Sequence, residues 1–359
     1  MAVTTTGGTA TAPNAFTYIL PTPTGVSASQ GTSTAQVTVN WSAVNGATGY
    51  DVFRDSAPVK IGSSSGVTTT FNDTTAVPGT LYSYTIKATS ATGNSEASSA
   101  ATGFRKLSPP TGIIASQGTK STQINLIWSE TPGATSYQIF RNGATTPIGT
   151  SESAFYADTS APIGTTCNYT LKALCTLSTS DMSSPAVTGW RAPEAPIDVS
   201  ATKGTSSTQV TVTWIAVDGA TGYDIFRDAG ATKIGTTFGK TSVTFNDTTA
   251  VPMVEYSYTV KATAAAGVGP ASEATPASIG FRAMPAPTIS SVSPTSGTTL
   301  GGTAITITGS SFTDASSVTV GGAAATSVVV VSSTSITAIT PAGTAGAQSV
   351  AVTTSVGTA

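Results

Sequence analysis

Residues 37–41 read Val-Thr-Val-Asn-Trp, in which large apolar side chains alternate with polar ones. Because successive side chains of a β-strand point to opposite faces, this alternation places Trp41 and both valines on one face and the polar residues on the other. The same pattern recurs at residues 124–128 and 210–214, each time ending on a tryptophan. The sequence therefore predicts three equivalent strands, each with one buried and one solvated face.

These strands belong to a longer internal repeat. The tryptophans that end them are spaced roughly 86 residues apart, which is the size of a small β-sandwich domain. A second alternating strand follows in each repeat, at Tyr82–Lys87 in the first and Tyr256–Lys261 in the third, whereas the middle repeat begins this strand with Cys167. Only 9% of the residues are charged, and the abundance of Thr, Ser, Val and Gly suits strands and turns. We therefore predict an all-β protein.

The repeat resembles a known family. A strand ending in tryptophan, a tyrosine in the next strand, and a Pro-Gly-Thr turn running into Tyr-x-Tyr look like the fibronectin type III pattern of bacterial secreted proteins. The resemblance implies that Tyr82 and Tyr256 form the family's corner hydrogen bond and that Cys167 cannot. We expect three fibronectin type III-like repeats, at residues 20–107, 108–192 and 193–284.

A different set of sequence motifs follows the third repeat. Ser293–Gly297 reads Ser-Pro-Thr-Ser-Gly, Gly301–Thr303 reads Gly-Gly-Thr, and a Gly-x-x-Phe sequence ends at Phe312. This order of motifs is similar to that of the IPT/TIG family, which implies an immunoglobulin-like sandwich at residues 285–359. The family's pattern continues into one more strand, so we expect this domain to lack its last strand.

The two ends of the chain resemble each other. Residues 2–10 match residues 351–359 at seven of nine positions, and the first copy runs on into an alternating segment. We therefore predict that residues 1–19 are the C-terminal strand region of an IPT/TIG-like domain. In one interpretation the chain is an excerpt of a longer array. In the other, a strand from one molecule fills the open edge of the next molecule's C-terminal sandwich, and the donor residues are Phe16, Thr17, Tyr18 and Ile19.

Composition limits the chemistry that the chain can perform. The net charge of -2 does not provide the excess of basic residues that is typical of nucleic-acid-binding proteins. The longest aliphatic run, Val328–Val331, is far too short to span a membrane. The absence of histidine removes Ser-His-Asp and Cys-His catalysis. We expect no enzymatic activity, no cofactor, no metal, no nucleic acid and no membrane insertion.

Several residue types have two interpretations. The strand-end tryptophans alternate in phase with Val and Leu, which favours a core position over a sugar-stacking role. The Asn-Asp pairs that end at Asp73 and Asp247 could bind calcium, but we favour turns in which these side chains hydrogen-bond to the backbone of the turn. Cys167 and Cys175 lie too far apart along a strand for a disulfide and favour packing roles. The repeated arginines are interpreted as solvated charges on a sheet face rather than a ladder: Arg54, Arg141 and Arg227.

These observations predict tandem immunoglobulin-like β-sandwiches arranged as an extended rod, located outside the cell or at its surface. The first functional hypothesis is a structural subunit of an extracellular bacterial fibre, sheath or adhesin. It would assemble head to tail with copies of itself, or join flanking repeats of a longer chain. The alternative is a spacer or glycan-binding region of a secreted polysaccharide-active enzyme, for which a surface glycan would be the partner.

Overall fold

The computed structural model describes residues 2–11, 19–55, 59–228, 232–272, 275 and 278–359. These residues form two compact units, residues 1–191 and 192–359, which are described separately below. The all-β prediction is confirmed, since the described residues fold into small antiparallel sheets. No helix in this part of the chain is long and apolar enough to cross a membrane.

The first unit contains seventeen of the described strands. They are β1 (Ala2–Thr5), β2 (Gly8–Thr11), β3 (Ser27–Ala28), β4 (Val37–Asn40), β5 (Gly49–Arg54), β6 (Val59–Ser65), β7 (Thr70–Asp73), β8 (Tyr82–Ser90), β9 (Gly93–Asn94), β10 (Ala101–Gly103), β11 (Thr111–Ala115), β12 (Ile124–Ser129), β13 (Ser136–Arg141), β14 (Gly149–Ser151), β15 (Phe155–Asp158), β16 (Cys167–Leu174) and β17 (Val187–Gly189).

The second unit contains the remaining described strands. They are β18 (Ser200–Ala201), β19 (Val210–Thr213), β20 (Gly222–Arg227), β21 (Thr232–Phe238), β22 (Thr244–Asp247), β23 (Tyr256–Thr263), β24 (Val268–Ala271), β25 (Ile279–Gly280), β26 (Thr288–Ser293), β27 (Ala304–Ser310), β28 (Ser317–Val320), β29 (Ala323–Ala324), β30 (Thr326–Ser332), β31 (Ser335–Ile339), β32 (Val350–Thr354) and β33 (Gly357–Thr358).

The three repeats share one sandwich topology. Each has a three-stranded sheet, in the order β3-β4-β7, β11-β12-β15 and β18-β19-β22. Each also has a larger sheet built around two central strands, β5 and β8, β13 and β16, or β20 and β23. The hairpin β1–β2 forms a sheet of its own.

Alternation along the strands accounts for the core of each repeat. Val37 and Val39 of β4 are fully buried, and Trp41 packs on Tyr50 with ring centroids 5.3 Å apart. The corresponding tryptophans of the other repeats, Trp128 and Trp214, are equally buried against a tyrosine. The prediction that these tryptophans are core residues is confirmed.

The C-terminal sandwich consists of two four-stranded sheets, β26-β27-β31-β30 and β29-β28-β32-β33. Its core is small, with Ile307, Phe312, Ile336 and Val352 buried between the sheets. The edge strand β33 pairs with β32, Gly357 opposite Thr354 and Thr358 opposite Thr353, and the next residue, Ala359, exchanges backbone hydrogen bonds with Val352.

Candidate functional site

The predicted donor strand lies largely outside the described residues. Phe16, Thr17 and Tyr18 are not among them, whereas Ile19 is described and 76% exposed. The hairpin that precedes this segment is described.

The N-terminal hairpin duplicates the C-terminal one in three dimensions. In β1–β2, Thr4 faces Thr9 and their hydroxyl oxygens lie 3.0 Å apart. In β32–β33, Thr353 faces Thr358, again with a distance of 3.0 Å between the hydroxyls. The similarity between residues 2–10 and 351–359 is therefore a similarity of register and of side-chain hydrogen bonding.

The two hairpins differ in burial. Val352 lies at 0% exposure in the core of the C-terminal sandwich, whereas its counterpart Val3 is 59% exposed. Every residue of β1 is exposed. The N-terminal hairpin thus has the pairing of a sandwich edge without the core contacts of one.

A groove opens beside the C-terminal edge. A cavity of about 700 Å³ lies between the two sheets of this sandwich. Its apolar walls come from Ile289 and Val292 of β26, Ile305 of β27, Val320 of β28 and Val350 of β32. Apart from Ile305, these side chains are only partly buried, so the inner face of the sandwich is incompletely covered here.

The repeated arginines do not behave as predicted. Arg54 on β5 donates a 2.8 Å hydrogen bond to the buried carboxylate of Asp73 at the end of β7, which belongs to the opposite sheet. The hydroxyl of Tyr84 on β8 donates to the same carboxylate at 3.0 Å. The interpretation of these arginines as ordinary solvated charges is wrong, because each one ties the two sheets of its repeat together.

This cluster of an arginine, an aspartate and a tyrosine forms a clamp between the two sheets, and it occurs in all three repeats. Its members are Arg54, Asp73 and Tyr84 in the first repeat, Arg141, Asp158 and Tyr169 in the second, and Arg227, Asp247 and Tyr258 in the third. The aspartates also accept backbone N–H bonds from the turn that follows, as the turn interpretation predicted for Asp73 and Asp247.

Electrostatics in the clamp favours the charged aspartate. Burial raises the pKa of Asp73, but hydrogen bonds from Thr75, Arg54 and Tyr84 outweigh that effect and hold the pKa below its ordinary value. Burial and the neighbouring carboxylate raise the pKa of Tyr84, so its proton stays in place to be donated. The clamp is therefore a structural ion pair.

The corner tyrosines follow the family resemblance. The hydroxyl of Tyr82 accepts a 3.2 Å hydrogen bond from the backbone N–H of Val77, and Tyr256 does the same for Val251 at 3.4 Å. Their rings also lie beneath Arg54 and Arg227 in cation–π contact. Cys167 is buried at the equivalent position and makes neither contact, so the prediction for the middle repeat is confirmed.

The first and second repeats meet at a tightly packed junction. A loop of the first repeat places Pro78 and Gly79 against Gly133 of the second, and a Cβ added at Gly133 would overlap the Pro78 carbonyl. The thiol of Cys175 lies 3.8 Å from the Gly79 carbonyl oxygen. The connecting residue Leu107 is fully buried in the core of the second repeat. The connector is therefore part of the packed structure.

Polar contacts close the rim of the junction. The ammonium of Lys106 lies 2.6 Å from the carboxylate of Asp181, and the N–H of Leu107 donates to the Ser178 hydroxyl at 3.3 Å. Because Asp181 is largely exposed, the ion pair contributes only about 0.5 kcal/mol. Apolar packing and close backbone approach provide most of the stabilisation.

The second repeat exposes an apolar row on its three-stranded sheet. Ile114, Ile127 and Phe155 are directly opposite one another across β11, β12 and β15, so their side chains share one face. They are 61%, 49% and 45% exposed. The equivalent rows of the other repeats are polar: Ser27, Asn40 and Thr70 in the first, and Ser200, Thr213 and Thr244 in the third. The row distinguishes this repeat and was missed because its recognition requires the cross-strand register.

Family profiles match three parts of the chain. The fibronectin type III domain profile matches residues 21–104 and 192–278, and the IPT/TIG domain profile matches residues 287–358. The second repeat has the same sheet topology as the two matched repeats.

Two bacterial enzymes contain related segments. The chain is 30% identical over 278 residues to exoglucanase B of Cellulomonas fimi, an alignment that spans 68% of this chain and 24% of the relative. It is 40% identical over 96 residues to a poly(3-hydroxybutyrate) depolymerase of Delftia acidovorans, spanning 27% of this chain and 18% of the relative. The alignments thus span a quarter or less of each relative.

Solved structures of fibronectin type III domains are also similar. The FN1-FN3 domains of chicken CNTN1 are 19% identical, and the match covers 71% of this chain and 98% of that one, with a TM-score of 0.25.

Proposed function

The chain carries fibronectin type III domains and a C-terminal IPT/TIG domain, and on this premise we propose that it is a non-catalytic spacer region of an extracellular polymer-degrading protein. The junction between the first two repeats carries this proposal. Its buried connector and close backbone contacts hold one sandwich at a set position relative to the next, as a spacer requires.

The relatives support this role over that of a fibre subunit. Both are named as enzymes that act on polymers, and this chain matches only a minor part of each. The clamps also assign the repeated Arg, Asp and Tyr residues to structural work. A spacer between a catalytic domain and a substrate-binding domain fits these observations, and so does a location outside the cell.

The thiol of Cys175 offers a native probe of the junction, because it lies against Gly79 and is only partly buried. Alkylation of this thiol in the intact chain, followed by mass spectrometry, measures how often the junction opens. We expect Cys175 to react at least tenfold more slowly than in the denatured chain. A rate equal to that of the denatured chain would contradict a fixed junction.

A pair of glycines provides the matched variant and control. Gly133 and Gly46 occupy equivalent turns with positive φ angles of 81° and 83°, so alanine costs the same backbone strain at both. Only Gly133 faces the other repeat, whereas a Cβ at Gly46 would meet Leu20 at an ordinary 3.5 Å. Gly133→Ala should accelerate alkylation of Cys175, and Gly46→Ala should leave it unchanged.

The apolar row favours a second function for the middle repeat, which is contact with an insoluble polymer. Three adjacent exposed apolar side chains suit a surface with apolar groups better than a soluble, hydrated sugar. Because one relative is named as a poly(3-hydroxybutyrate) depolymerase, granules of that polyester are the first surface to test.

Co-sedimentation with the granules tests this contact. Ile127→Asn installs the residue that the first repeat has at the same position, and it should lower the bound fraction several-fold. Thr213→Asn places the same side chain at the equivalent position of the third repeat and should have no effect. Equal binding of the two variants and the unmodified chain would exclude the row as the contact.

A further inference from the structure

We propose that the outer face of the larger sheet of the third repeat binds a neutral polysaccharide chain, in a trough between Phe238 and Val268. The trough follows from the cross-strand register of β21, β20, β23 and β24. This contact requires neither the fixed junction nor the polyester contact of the second repeat, so each of the three can fail alone.

One cross-strand row defines the trough. Phe238 of β21 is opposite Gly222 of β20. Gly222 is also opposite Thr263 of β23, which is opposite Val268 of β24 on its other side. Cross-strand partners share one face of a sheet. Because neighbouring strands lie about 4.8 Å apart, the two ends of the row are separated by roughly 14 Å.

The ends of this row are apolar and exposed, whereas its centre is low. Phe238 is 83% exposed and Val268 is 47% exposed. Gly222 has no side chain, and a Cβ at this position would overlap the carbonyl oxygen of Thr237, so the floor stays open. The row is therefore a trough with an aromatic wall on one side and an aliphatic wall on the other.

A polar row lies beside the trough, two residues further along the strands. Asp224 of β20 is opposite Thr236 of β21 and Lys261 of β23. The carboxylate of Asp224 accepts a 2.9 Å hydrogen bond from the Thr236 hydroxyl and lies 2.7 Å from the ammonium of Lys233. This row therefore offers donors and an acceptor together, and its carboxylate is already neutralised by Lys233.

The two rows together favour a sugar as the ligand. A sugar ring has an apolar face of C–H groups that can stack on Phe238, and its hydroxyls both donate and accept hydrogen bonds. A polyester chain would offer the polar row acceptors alone. The two walls expose roughly 250 Å² of apolar surface, far less than the 800 Å² or so that each partner buries in a stable protein interface. The trough therefore suits a single polymer chain rather than a second protein.

The first repeat has the same floor without the walls. In its equivalent row, Ser65 is opposite Gly49, and Asn94 is opposite Thr89. Both ends of that row are polar, although the glycine and threonine between them are the same as in the third repeat. Phe238→Ser and Val268→Asn therefore install residues that this sheet already carries in another repeat.

An NMR titration of the intact chain with cellohexaose, a neutral and extended oligosaccharide, tests the site. We expect saturable shifts of amides in β20, β21, β23 and β24, with the largest at Gly222 and Thr263. Phe238→Ser should weaken binding roughly tenfold, because the ring provides most of the apolar contact. Val268→Asn should weaken it less, since the smaller wall is lost. A titration without saturable shifts, or with shifts centred on the first repeat, would overturn the proposal.

Val67→Ser supplies the matched control. Val67 is 92% exposed in the loop that follows β6 of the first repeat, so this variant also removes an exposed apolar side chain. It should leave the affinity for cellohexaose unchanged, and equal weakening by Val67→Ser and Phe238→Ser would contradict a site on the third repeat.

A parallel titration with soluble oligomers of 3-hydroxybutyrate tests the class of ligand. These oligomers should not shift the amides of the trough. If they bind beside Phe238 and cellohexaose does not, the assignment to a sugar is wrong, while the polyester contact of the second repeat keeps its own test through Ile127→Asn.

Discussion

The guanidinium of Arg141 lies 2.7 Å from the carboxylate of Asp158, which is completely shielded from solvent. The two residues stand on strands of opposite sheets, β13 and β15, so their bond crosses the interior of the second repeat. Tyr169 donates to the same carboxylate at 2.7 Å. Equivalent clamps in the other repeats make this a polar feature that the three sandwiches share.

Asp158→Asn should destabilise the second repeat. The substitution removes the buried charge that Arg141 and Tyr169 are placed to meet, and charge-assisted hydrogen bonds of this kind contribute about 2 kcal/mol. Denaturant unfolding followed residue by residue by NMR should show the loss in the second repeat. Asp181→Asn, which removes an exposed carboxylate of the same repeat, should change its stability by less than about 1 kcal/mol. A loss no larger than that control would contradict the clamp.

Stability should fall in acid. The pKa values of Asp73, Asp158 and Asp247 lie below their ordinary value in the folded chain. Such groups stabilise the fold above their unfolded pKa of about 3.9, and that contribution is lost as the pH falls through the lower folded values. The free energy of unfolding should be flat near neutral pH and decline below about pH 4. Asp158→Asn should flatten this decline in the second repeat only.

Tyr82→Phe should weaken the first repeat modestly. The variant keeps the ring beneath Arg54 but loses the acceptor for the Val77 N–H, which costs about 1 kcal/mol. The second repeat, with Cys167 at this position, should be unaffected, as should the third. Thermal unfolding resolved by repeat would show the difference, and a loss spread over all repeats would argue against a local corner bond.

The sequence predicts more of the fold than of the candidate sites. Two-residue alternation was sufficient to place Trp41, Trp128 and Trp214 in cores, because the period of a strand is a local property. The number of repeats was also predictable, because a fixed spacing between similar segments can be found by comparing the sequence with itself.

The clamp and the apolar row depend on tertiary contacts. Arg54 and Asp73 lie on different sheets, so no local sequence pattern indicates that they pair. The same pair recurs as Arg141–Asp158 and Arg227–Asp247, and a comparison of the three repeats could have used this recurrence as a signal. The row emerges only when β11, β12 and β15 are placed in register. A shift of one residue would have hidden it.

The fixed junction between the first two repeats is the central claim, and amide nitrogen relaxation of the intact chain tests it most directly. If Leu107 and the Pro78–Gly133 contact hold the two sandwiches as one body, amides of both repeats will report a single shared rotational diffusion tensor. Two separate tensors, with each repeat tumbling faster than the pair, would contradict the claim and with it the proposed spacer.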